Sequence, residues 1–328
     1  MAPARILDSP PAKLSSAVEK PTVYMLDTFH PAAVAFCQAR FNTILPDTPE
    51  HAQWRQKAKY LLIRSSYLTA EDIEQCPNLL AISKQGVGID KIDAATCAAR
   101  GIKIFNTPGV NAQAVAELVL TLTTAVAREV CSISVRQASG KRVPKETCSG
   151  LILHNKTIGI LGMGNVGKTV AKMFRGAFDA PVVAYDPFLP LDAWPELPHT
   201  RASTVEEVLK VCDILTIHVP LTPETKHLIS YSELQMMKRT AILINTARGG
   251  IVNESDLEQG LRDELIWGAG LDCHEQEPPS KEKYELLWNE RVVSTPHIGA
   301  ATAQTQQETA TAAVARLYDF VSGRNPGK

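Results

Sequence analysis

The chain of 328 residues is long enough to bury a substantial core, and its length predicts about two domains. Its 34 basic and 35 acidic residues give a formal net charge of -1 without a long run of either sign, so neither a nucleic acid nor an anionic membrane is the expected partner. No apolar stretch reaches the roughly 18 residues of a membrane span, which favours a small soluble ligand.

The N-terminal segment and the cysteines indicate the compartment. The first twenty residues contain Pro and Ser but no continuous apolar core, which argues against a secretory signal. The seven cysteines are odd in number, scattered and never in CxxC spacing, so neither a disulfide framework nor a zinc site is expected. We therefore expect a cytoplasmic protein that binds no metal.

Short β-rich apolar runs alternate with helical stretches over most of the chain, a pattern typical of parallel sheets built from βαβ units. The first third predicts one small open α/β sheet. Its five strands are Thr22 to Asp27, Asn42 to Pro46, Tyr60 to Ser65, Leu79 to Lys84 and Lys103 to Asn106.

A long apolar helix is predicted next, from Ala112 to about Val130, because this stretch has no Gly or Pro and is apolar on nearly every face. A helix that is apolar all round must be buried on all sides. We interpret it as the connector that leaves the first domain and packs against a partner subunit. A buried helix within a monomer remains the alternative.

A second strand series predicts a full dinucleotide-binding sheet. Its six strands are Thr157 to Leu161, Pro181 to Tyr185, Asp213 to Val219, Ala241 to Asn245, Ile266 to Leu271 and Val292 to Ser294. A last helix, from about Ala300 to Ser322, is expected to return to the first domain. The expected fold is α/β with two doubly wound parallel-sheet domains: a discontinuous flavodoxin-like substrate domain (1–111 and 299–328) and a Rossmann NAD-binding domain (112–298).

A glycine motif of the GxGxxG type follows the first strand of the second series and opens a helix. Gly162 permits the tight turn, Gly164 lets the backbone approach a pyrophosphate, and Gly167 lets helix and strand pack closely. The helix start presents the N–H groups of Asn165 and Val166 to phosphate. Glycine turns between strand and helix also occur without a ligand, so the motif alone is weak.

The next strand strengthens the cofactor prediction, because it ends in Asp186, 19 positions after Gly167. A carboxylate at this place accepts hydrogen bonds from the ribose hydroxyls and repels a 2′-phosphate. NAD is therefore favoured over NADP. The alternative is that Asp186 only begins the turn at Pro187.

Three ionisable residues follow later strands, where ligands of open α/β sheets bind. The planar guanidinium of Arg248 can hold a carboxylate through two hydrogen bonds. Glu277 beside His297 would favour the charged imidazolium, so that the histidine can donate a proton near neutral pH. Each could also be an ordinary loop or surface residue. Together they predict hydride transfer between a nicotinamide and carbon, with His297 moving the proton on oxygen.

At these residues the chain resembles the D-isomer-specific 2-hydroxyacid dehydrogenase family over almost its full length. The motifs that carry the resemblance are Gly86-Val-Gly-Ile-Asp-Lys-Ile-Asp93, Phe105-Asn-Thr-Pro-Gly-Val-Asn111 with Ala116-Glu117, the GxGxxG segment, His218-Val-Pro-Leu-Thr222, Asn245-Thr-Ala-Arg-Gly-Gly250, Glu277-Pro278 and Pro296-His-Ile-Gly-Ala300.

The resemblance implies site residues and partners. Arg248 would orient the substrate, His297 would be the general acid/base and Glu277 its partner, while the N–H groups of Val87 and Gly88 would receive the substrate carboxylate. It implies domain closure, a homodimer, and the reduction of a 2-keto acid by NADH to a D-2-hydroxy acid. The implied cofactor contacts, with the three motif glycines, are Val87, Asn165, Val166, Asp186, Val219, Thr246, Ala247, Arg248, Asp272, His297, Gly299 and Ala300.

Within the family the chain resembles the phosphoglycerate dehydrogenases, and Arg64 and Ser65 stand where such enzymes meet the substrate phosphate, although both could be solvated surface groups. The chain lacks the tryptophan that the family commonly places before the glycine strand, and about 30 residues follow His297, too few for a serine-binding regulatory domain. Two alternatives stay open. One is an NAD-responsive corepressor-type binding protein, and the other is formate dehydrogenase, in which Gln replaces Glu277.

Overall fold

The computed structural model describes residues 20–280, 282 and 291–324, and it contains two parallel sheets. The first has the strand order β2-β1-β3-β4-β5, which is the flavodoxin order. Its strands are β1 (Thr22–Met25), β2 (Asn42–Ile44), β3 (Tyr60–Ile63), β4 (Ala81–Lys84) and β5 (Lys103–Phe105). All five predicted strands are confirmed.

The second sheet has seven parallel strands, in the order β12-β11-β10-β9-β6-β7-β8. They are β6 (Ile158–Leu161), β7 (Val182–Tyr185), β8 (Thr200–Arg201), β9 (Ile214–Ile217), β10 (Ile242–Asn245), β11 (Gly268–Leu271) and β12 (Val292–Ser294). The order is that of a Rossmann sheet with one strand added at the β12 edge. The prediction of six strands was wrong by one, since the edge strand β8 has two residues and too short a sequence to show alternation.

Eleven α-helices lie within the described residues and cover the sheets. They are α1 (Pro31–Gln38), α2 (Trp54–Lys57), α3 (Ala70–Glu74), α4 (Ala94–Ala99), α5 (Ala112–Ala127), α6 (Val130–Ala138), α7 (Asn165–Phe178), α8 (Val205–Val211), α9 (Tyr231–Met236), α10 (Glu254–Arg262) and α11 (Ala303–Val321). Several begin at polar capping residues, among them Thr69, Asp93, Asn253 and Thr302, whose side chains accept a backbone N–H bond. Each cap is worth about 1 kcal/mol.

The helix α5 packs along the second sheet, where it contacts α7, β10 and β11. Its buried face includes Val119, Leu122 and Val126, whereas Gln113 and Glu117 are exposed in the single chain. Burial on every side is therefore not reached within the single chain, and the packing of the exposed face against a partner subunit stays a prediction. Within the described residues no single helix is long and apolar enough to cross a membrane; α5 and α6 pass that test only as a pair, bent by 65°.

The helix α11 packs against α1 and β4 of the first sheet, as the sequence predicts. Its residues Ala313 and Leu317 are fully buried, and burying a leucine side chain contributes about 1.5–3 kcal/mol. The hydroxyl of Ser83 on β4 donates a hydrogen bond of 2.8 Å to the Ala313 carbonyl. The first domain is thus built from both ends of the chain, while the boundaries at 111/112 and 298/299 stay predictions.

Candidate active site

A polar cavity of about 400 Å³, here called the acid cavity, lies between the carboxyl ends of the two sheets. Both domains contribute to its wall. The first sheet supplies the loops after β3 and β4, including Arg64, Lys84 and Gly88, and the second sheet supplies Arg248 and His297. Every substrate contact predicted from the sequence lines this cavity: Arg64, Ser65, Val87, Gly88, Arg248 and His297.

The three predicted catalytic residues follow three neighbouring strands, which is why they meet. Arg248 follows β10, Glu277 follows β11 and His297 follows β12, and all three line the acid cavity. The Nδ1 atom of His297 lies 3.0 Å from each carboxylate oxygen of Glu277. Burial raises the pKa of Glu277, but the hydrogen bond and charge of His297 and the N–H of His274 outweigh it, and the pKa is lowered overall. Glu277 is therefore a charged carboxylate at neutral pH.

The backbone of His297 has the left-handed φ of 57°, which is uncommon for a residue with a side chain. Asp272 holds it there. Its carbonyl accepts the His297 N–H at 2.7 Å, and its fully buried carboxylate accepts bonds from the Thr295 hydroxyl at 2.6 Å, Ile298 N at 2.7 Å and Gly299 N at 2.8 Å. Asp272 and Gly299, which the family resemblance implies as cofactor contacts, thus support the His297 loop from beneath, and their contact with a cofactor stays a prediction.

The guanidinium of Arg248 is held by its own loop and by the opposite domain. Nη1 donates to the Ala247 carbonyl at 2.6 Å, and Nε donates to the carboxylate of Asp90 at 2.8 Å. The group lies against the loop of Gly88, where a Cβ atom would stand 1.6 Å from Nη2. Arg248 therefore faces the backbone that is predicted to receive the substrate carboxylate.

The loop that carries Arg64 and Ser65 is shaped by Asp27, a residue that the sequence does not single out. The carboxylate of Asp27, just after β1, accepts the N–H groups of Arg64 at 2.6 Å and of Ser65 and Ser66 at 3.0 Å. Burial raises the pKa of Asp27, but these hydrogen bonds outweigh it and the pKa is lowered. The loops after β1 and β3 meet where the order of the first sheet reverses, the usual ligand position in such sheets.

Lys84 is a buried cation at the end of the acid cavity and is 9% exposed. Its Nζ atom donates to the carbonyls of Gln85 at 3.0 Å and Arg64 at 3.3 Å. Burial, followed by the positive charges of Arg248 and Lys91, lowers the pKa of Lys84 to about 8. A second anionic group on a ligand would raise this pKa and hold the lysine in its charged form.

The glycine loop has the geometry that the motif predicts. Gly162 adopts a φ of 97°, and a Cβ there would lie 2.8 Å from the His218 carbonyl. A Cβ on Gly167 would lie 2.2 Å from the Gly162 carbonyl, so Gly167 serves the packing of α7 on β6. Within the described residues nothing lies within 4 Å of a Cβ built on Gly164, which leaves room for a ligand at the start of α7.

Two further cavities flank this loop, and together they fit an extended dinucleotide. One of about 420 Å³ borders the acid cavity, and one of about 450 Å³ lies beyond the loop. In the first, the buried oxygens Thr246 Oγ1 and Asn111 Oδ1 have no hydrogen-bond partner in the described part of the chain, as expected where a polar ligand binds. The predicted contacts Val87, Val166, Val219, Thr246, Ala247 and Arg248 line the first, and Gly162, Gly164, Asp186 and Val219 line the second.

The structure is consistent with both roles considered for Asp186, a ribose contact and the start of the turn at Pro187. It lines the cavity of about 450 Å³, yet its carboxylate also accepts the N–H groups of Met163 and Phe188, each at 2.9 Å. The first bond ties β7 to the glycine loop, and the second starts the turn at Pro187. Each oxygen keeps a second lone pair, so a ribose hydroxyl can still donate to it.

A cluster of Cys273, Glu277 and His297 places three possible metal-ligand atoms within 4.8 Å of one another. The thiol of Cys273 donates to the Ala247 carbonyl at 3.4 Å. Burial, and then the charges of Asp272 and Glu277, raise the pKa of this thiol far above its ordinary value. Within this cluster the hydrogen-bonded contact joins Glu277 and His297, whereas the Cys273 thiol is hydrogen-bonded to the Ala247 backbone.

Several lining residues were missed by sequence reasoning. Gln85, Asp90, Lys91 and Asn111 line the acid cavity, but none was predicted as a site residue, although Asp90, Lys91 and Asn111 lie within motifs that carry the family resemblance. Three predicted cofactor residues, Gly167, Asp272 and Gly299, are buried supports, while Ala300 lines the acid cavity. Asn165 is exposed at the start of α7 and packs near Gly109.

A Rossmann sheet with a glycine loop, beside a polar cavity between two domains, has the architecture of a nicotinamide-dependent oxidoreductase. Residues 120–299 match the model of the D-isomer specific 2-hydroxyacid dehydrogenase, NAD binding domain. The chain belongs to this family, which confirms the resemblance drawn from its motifs.

Named relatives agree with this family. The chain is 38% identical over 260 residues to the hydroxypyruvate reductase of Thermotoga maritima, covering 79% of this chain and 83% of that protein. It is 33% identical over 267 residues to the D-3-phosphoglycerate dehydrogenase of Methanocaldococcus jannaschii, covering 81% of this chain and 50% of that protein. The D-lactate dehydrogenase of Aquifex aeolicus, solved with NAD and lactic acid, has a TM-score of 0.79 at 25% identity, covering 92% of this chain and 96% of that one.

Proposed function

We propose that the protein reduces a small, polar 2-keto acid to the D-2-hydroxy acid with NADH, using His297 as general acid/base. The observation that carries the proposal is the bonded pair of His297 and Glu277 in one cavity with Arg248, beside the glycine loop. In the balanced reaction a 2-keto acid, NADH and a proton give a 2-hydroxy acid and NAD⁺.

Each protein group has one task in this mechanism. Arg248 and the N–H groups of Val87 and Gly88 hold the substrate carboxylate and orient the neighbouring carbonyl. The carboxylate of Glu277 accepts a hydrogen bond from Nδ1 of His297. The Nε2 atom is then free to donate its proton to the carbonyl oxygen. NADH, when bound, supplies the hydride. The negative charge of Glu277 stabilises the imidazolium before transfer, and in the reverse direction His297 accepts the hydroxyl proton.

The cofactor is proposed to be NAD(H) rather than NADP(H). Asp186 supports this choice, because its charged carboxylate at the end of β7 lines the cavity of about 450 Å³. A 2′-phosphate there would face a carboxylate held in place by two backbone N–H groups. The ratio of kcat/KM with NADH to that with NADPH measures the preference.

The substrate is proposed to carry a polar group beyond its keto carbon. The end of the acid cavity is formed by Arg64, Ser65 and Lys84, which suits a hydroxyl, carboxylate or phosphate better than a hydrocarbon chain. Hydroxypyruvate, with a hydroxyl beyond its keto carbon, is the first compound to test, and glyoxylate, with only a hydrogen there, is its comparison. The compound 3-phosphohydroxypyruvate tests the phosphate interpretation of Arg64 and Ser65.

The test is NADH oxidation, followed by absorbance, with hydroxypyruvate, glyoxylate, 3-phosphohydroxypyruvate, pyruvate and a bulky aromatic keto acid. We expect turnover of the polar acids and little of the aromatic one, with His297→Ala as the inactive control. NADH binding without oxidation on any acid would favour a corepressor-type binding protein. NAD⁺ reduction by formate alone would favour a formate dehydrogenase.

The assembly is proposed to be a homodimer in the cytoplasm. The helix α6 and the segment after it present exposed apolar side chains, of which Val135 is 68% and Ile152 is 72% exposed in the single chain. A second copy that covers this surface would bury them. All seven cysteines are free thiols, as suits a reducing compartment. Light scattering on the purified protein, with Val135→Lys as the interface variant, tests the dimer, and cell fractionation tests the compartment.

A further inference from the structure

We propose that Asp90 is a positioning residue, which fixes the orientation of Arg248 from the opposite side of the cleft. The inference rests on the proposed role of Arg248 in holding the substrate carboxylate. Asp90 belongs to the loop after β4 in the first sheet, whereas Arg248 belongs to the loop after β10 in the second. The Nε atom of Arg248 and Oδ2 of Asp90 are 2.8 Å apart, so this ion pair joins the two domains at the acid cavity.

The remaining contacts of Arg248 show why this bond sets an orientation. A guanidinium is planar, and its five N–H groups point in fixed directions within that plane. Asp90 accepts from Nε and the Ala247 carbonyl accepts from Nη1, which together fix the plane. Nη2 is then the nitrogen that lies against the Gly88 backbone. The protein thus binds Nε and Nη1 and leaves the two N–H groups of Nη2 for the proposed carboxylate position.

The pair of Asp90 and Arg248 matters more for the orientation of the guanidinium than for the neutralisation of its charge. The side chain of Asp90 is 55% exposed and that of Arg248 is 30% exposed, so solvent screens the attraction and the pair adds little to stability. The charge of Asp90 also acts on the cation of Lys84, and both Lys84 and Lys91 remain beside the cavity whether or not Asp90 is present. Removing a negative charge would, by charge alone, strengthen the binding of an anionic acid. A loss of binding on removal of Asp90 would therefore come from lost geometry.

Lost geometry would raise KM, whereas the loss of a negative charge alone would lower it, so the direction of the change in KM tests the proposal. In Asp90→Ala the guanidinium loses its Nε acceptor, and we expect KM for hydroxypyruvate to rise about tenfold, with a smaller fall in kcat and an unchanged Kd for NADH. In Asp90→Asn the amide oxygen can still accept from Nε, so we expect most of the wild-type KM to be retained. Asp319→Ala is the matched control, because Asp319 forms an exposed pair with Arg324 near the end of α11 and is not among the residues that line the acid cavity.

A double-mutant cycle shows whether Asp90 acts through Arg248. Lysine has no Nε donor that reaches Asp90 in the same geometry. In an Arg248→Lys background, Asp90→Ala should therefore change kcat/KM by less than twofold. An Asp90→Ala enzyme with wild-type KM, or one that loses the same factor in both backgrounds, would overturn the proposal. A lower KM would assign the residue to charge repulsion instead, which also overturns it.

Oxalate binding distinguishes a failure of this proposal from a failure of the proposed function. If the wild type turns over hydroxypyruvate, the kinetic cycle decides the role of Asp90. If it turns over none of the acids, the Kd of oxalate for the NADH-saturated protein is measured by calorimetry. Asp90→Ala should then weaken oxalate binding about tenfold, and equal binding would refute the role of Asp90. A wild type with neither turnover nor oxalate binding would refute both proposals.

Discussion

Replacing Gly88 by alanine is expected to abolish activity while leaving the fold intact. A methyl group at this position would stand 1.6 Å from Nη2 of Arg248 and 2.7 Å from Oδ2 of Asp90. Since non-bonded contacts settle near about 3.5 Å, the guanidinium must move by about 2 Å. A displacement of about 1 Å can cost roughly 10²-fold in rate. We therefore expect kcat/KM to fall at least about 100-fold, which corresponds to about 2.7 kcal/mol of transition-state stabilisation.

Stability should hardly change in this variant, because the colliding atoms are the ends of flexible side chains and the φ of Gly88 lies outside the left-handed region. The assay is NADH oxidation with hydroxypyruvate, together with NADH binding by fluorescence and thermal unfolding. Gly176→Ala on α7 is the control, because in the described structure nothing lies within 4 Å of its Cβ position and alanine is the better helix former. A Gly88→Ala enzyme with kcat/KM within threefold of the wild type would refute the placement of Arg248.

Three further predictions follow from the same site. His297→Ala and Arg248→Ala should each remove most of the turnover, by about 10²–10⁴-fold for the proton donor, with an unchanged Kd for NADH in a fluorescence titration. Asp186→Ala should relax the preference for NADH over NADPH and also raise the Kd for NADH, because the Met163 N–H loses its acceptor; an unchanged ratio of kcat/KM for the two cofactors would count against the ribose contact. The pKa of Lys84 is lowered to about 8, so this side chain is cationic below that pH and loses its charge as the pH rises through it. The KM for 3-phosphohydroxypyruvate, but not for glyoxylate, should then increase above about pH 8, and Lys84→Met should show no such change.

The parts of the site that were predicted from the sequence are those with a local signature. The glycine motif depends on the spacing of three residues within one turn, and Asp186 follows the next strand at the expected distance. Arg248 and His297 follow strands of the same sheet, so their meeting follows from the parallel topology. Neighbouring strands end at one edge, and the order of the strands alone brings their last residues together.

The parts that were not predicted depend on contacts between distant segments. Asp27 shapes the loop of Arg64 across 37 positions, and Asp90 meets Arg248 across 158. No spacing rule links such residues, since their distance is set by the packing of one sheet against another. The exposed face of α5 shows a related limit: it carries Gln113 and Glu117, but the many apolar residues around them suggested burial all round.

The return of α11 to the first sheet has a consequence for the order of folding on the ribosome. Ser83 and Ala313, which bond in the finished protein, are separated by 230 positions. The inserted Rossmann unit emerges completely before its host receives its last helix, and domains generally fold as units during synthesis. Until α11 is made, the incomplete first domain has an apolar face that includes Val23 and Leu62, and this face must be kept away from other nascent chains. Late closure of the first domain also means that the acid cavity forms last, after the cofactor half is already folded.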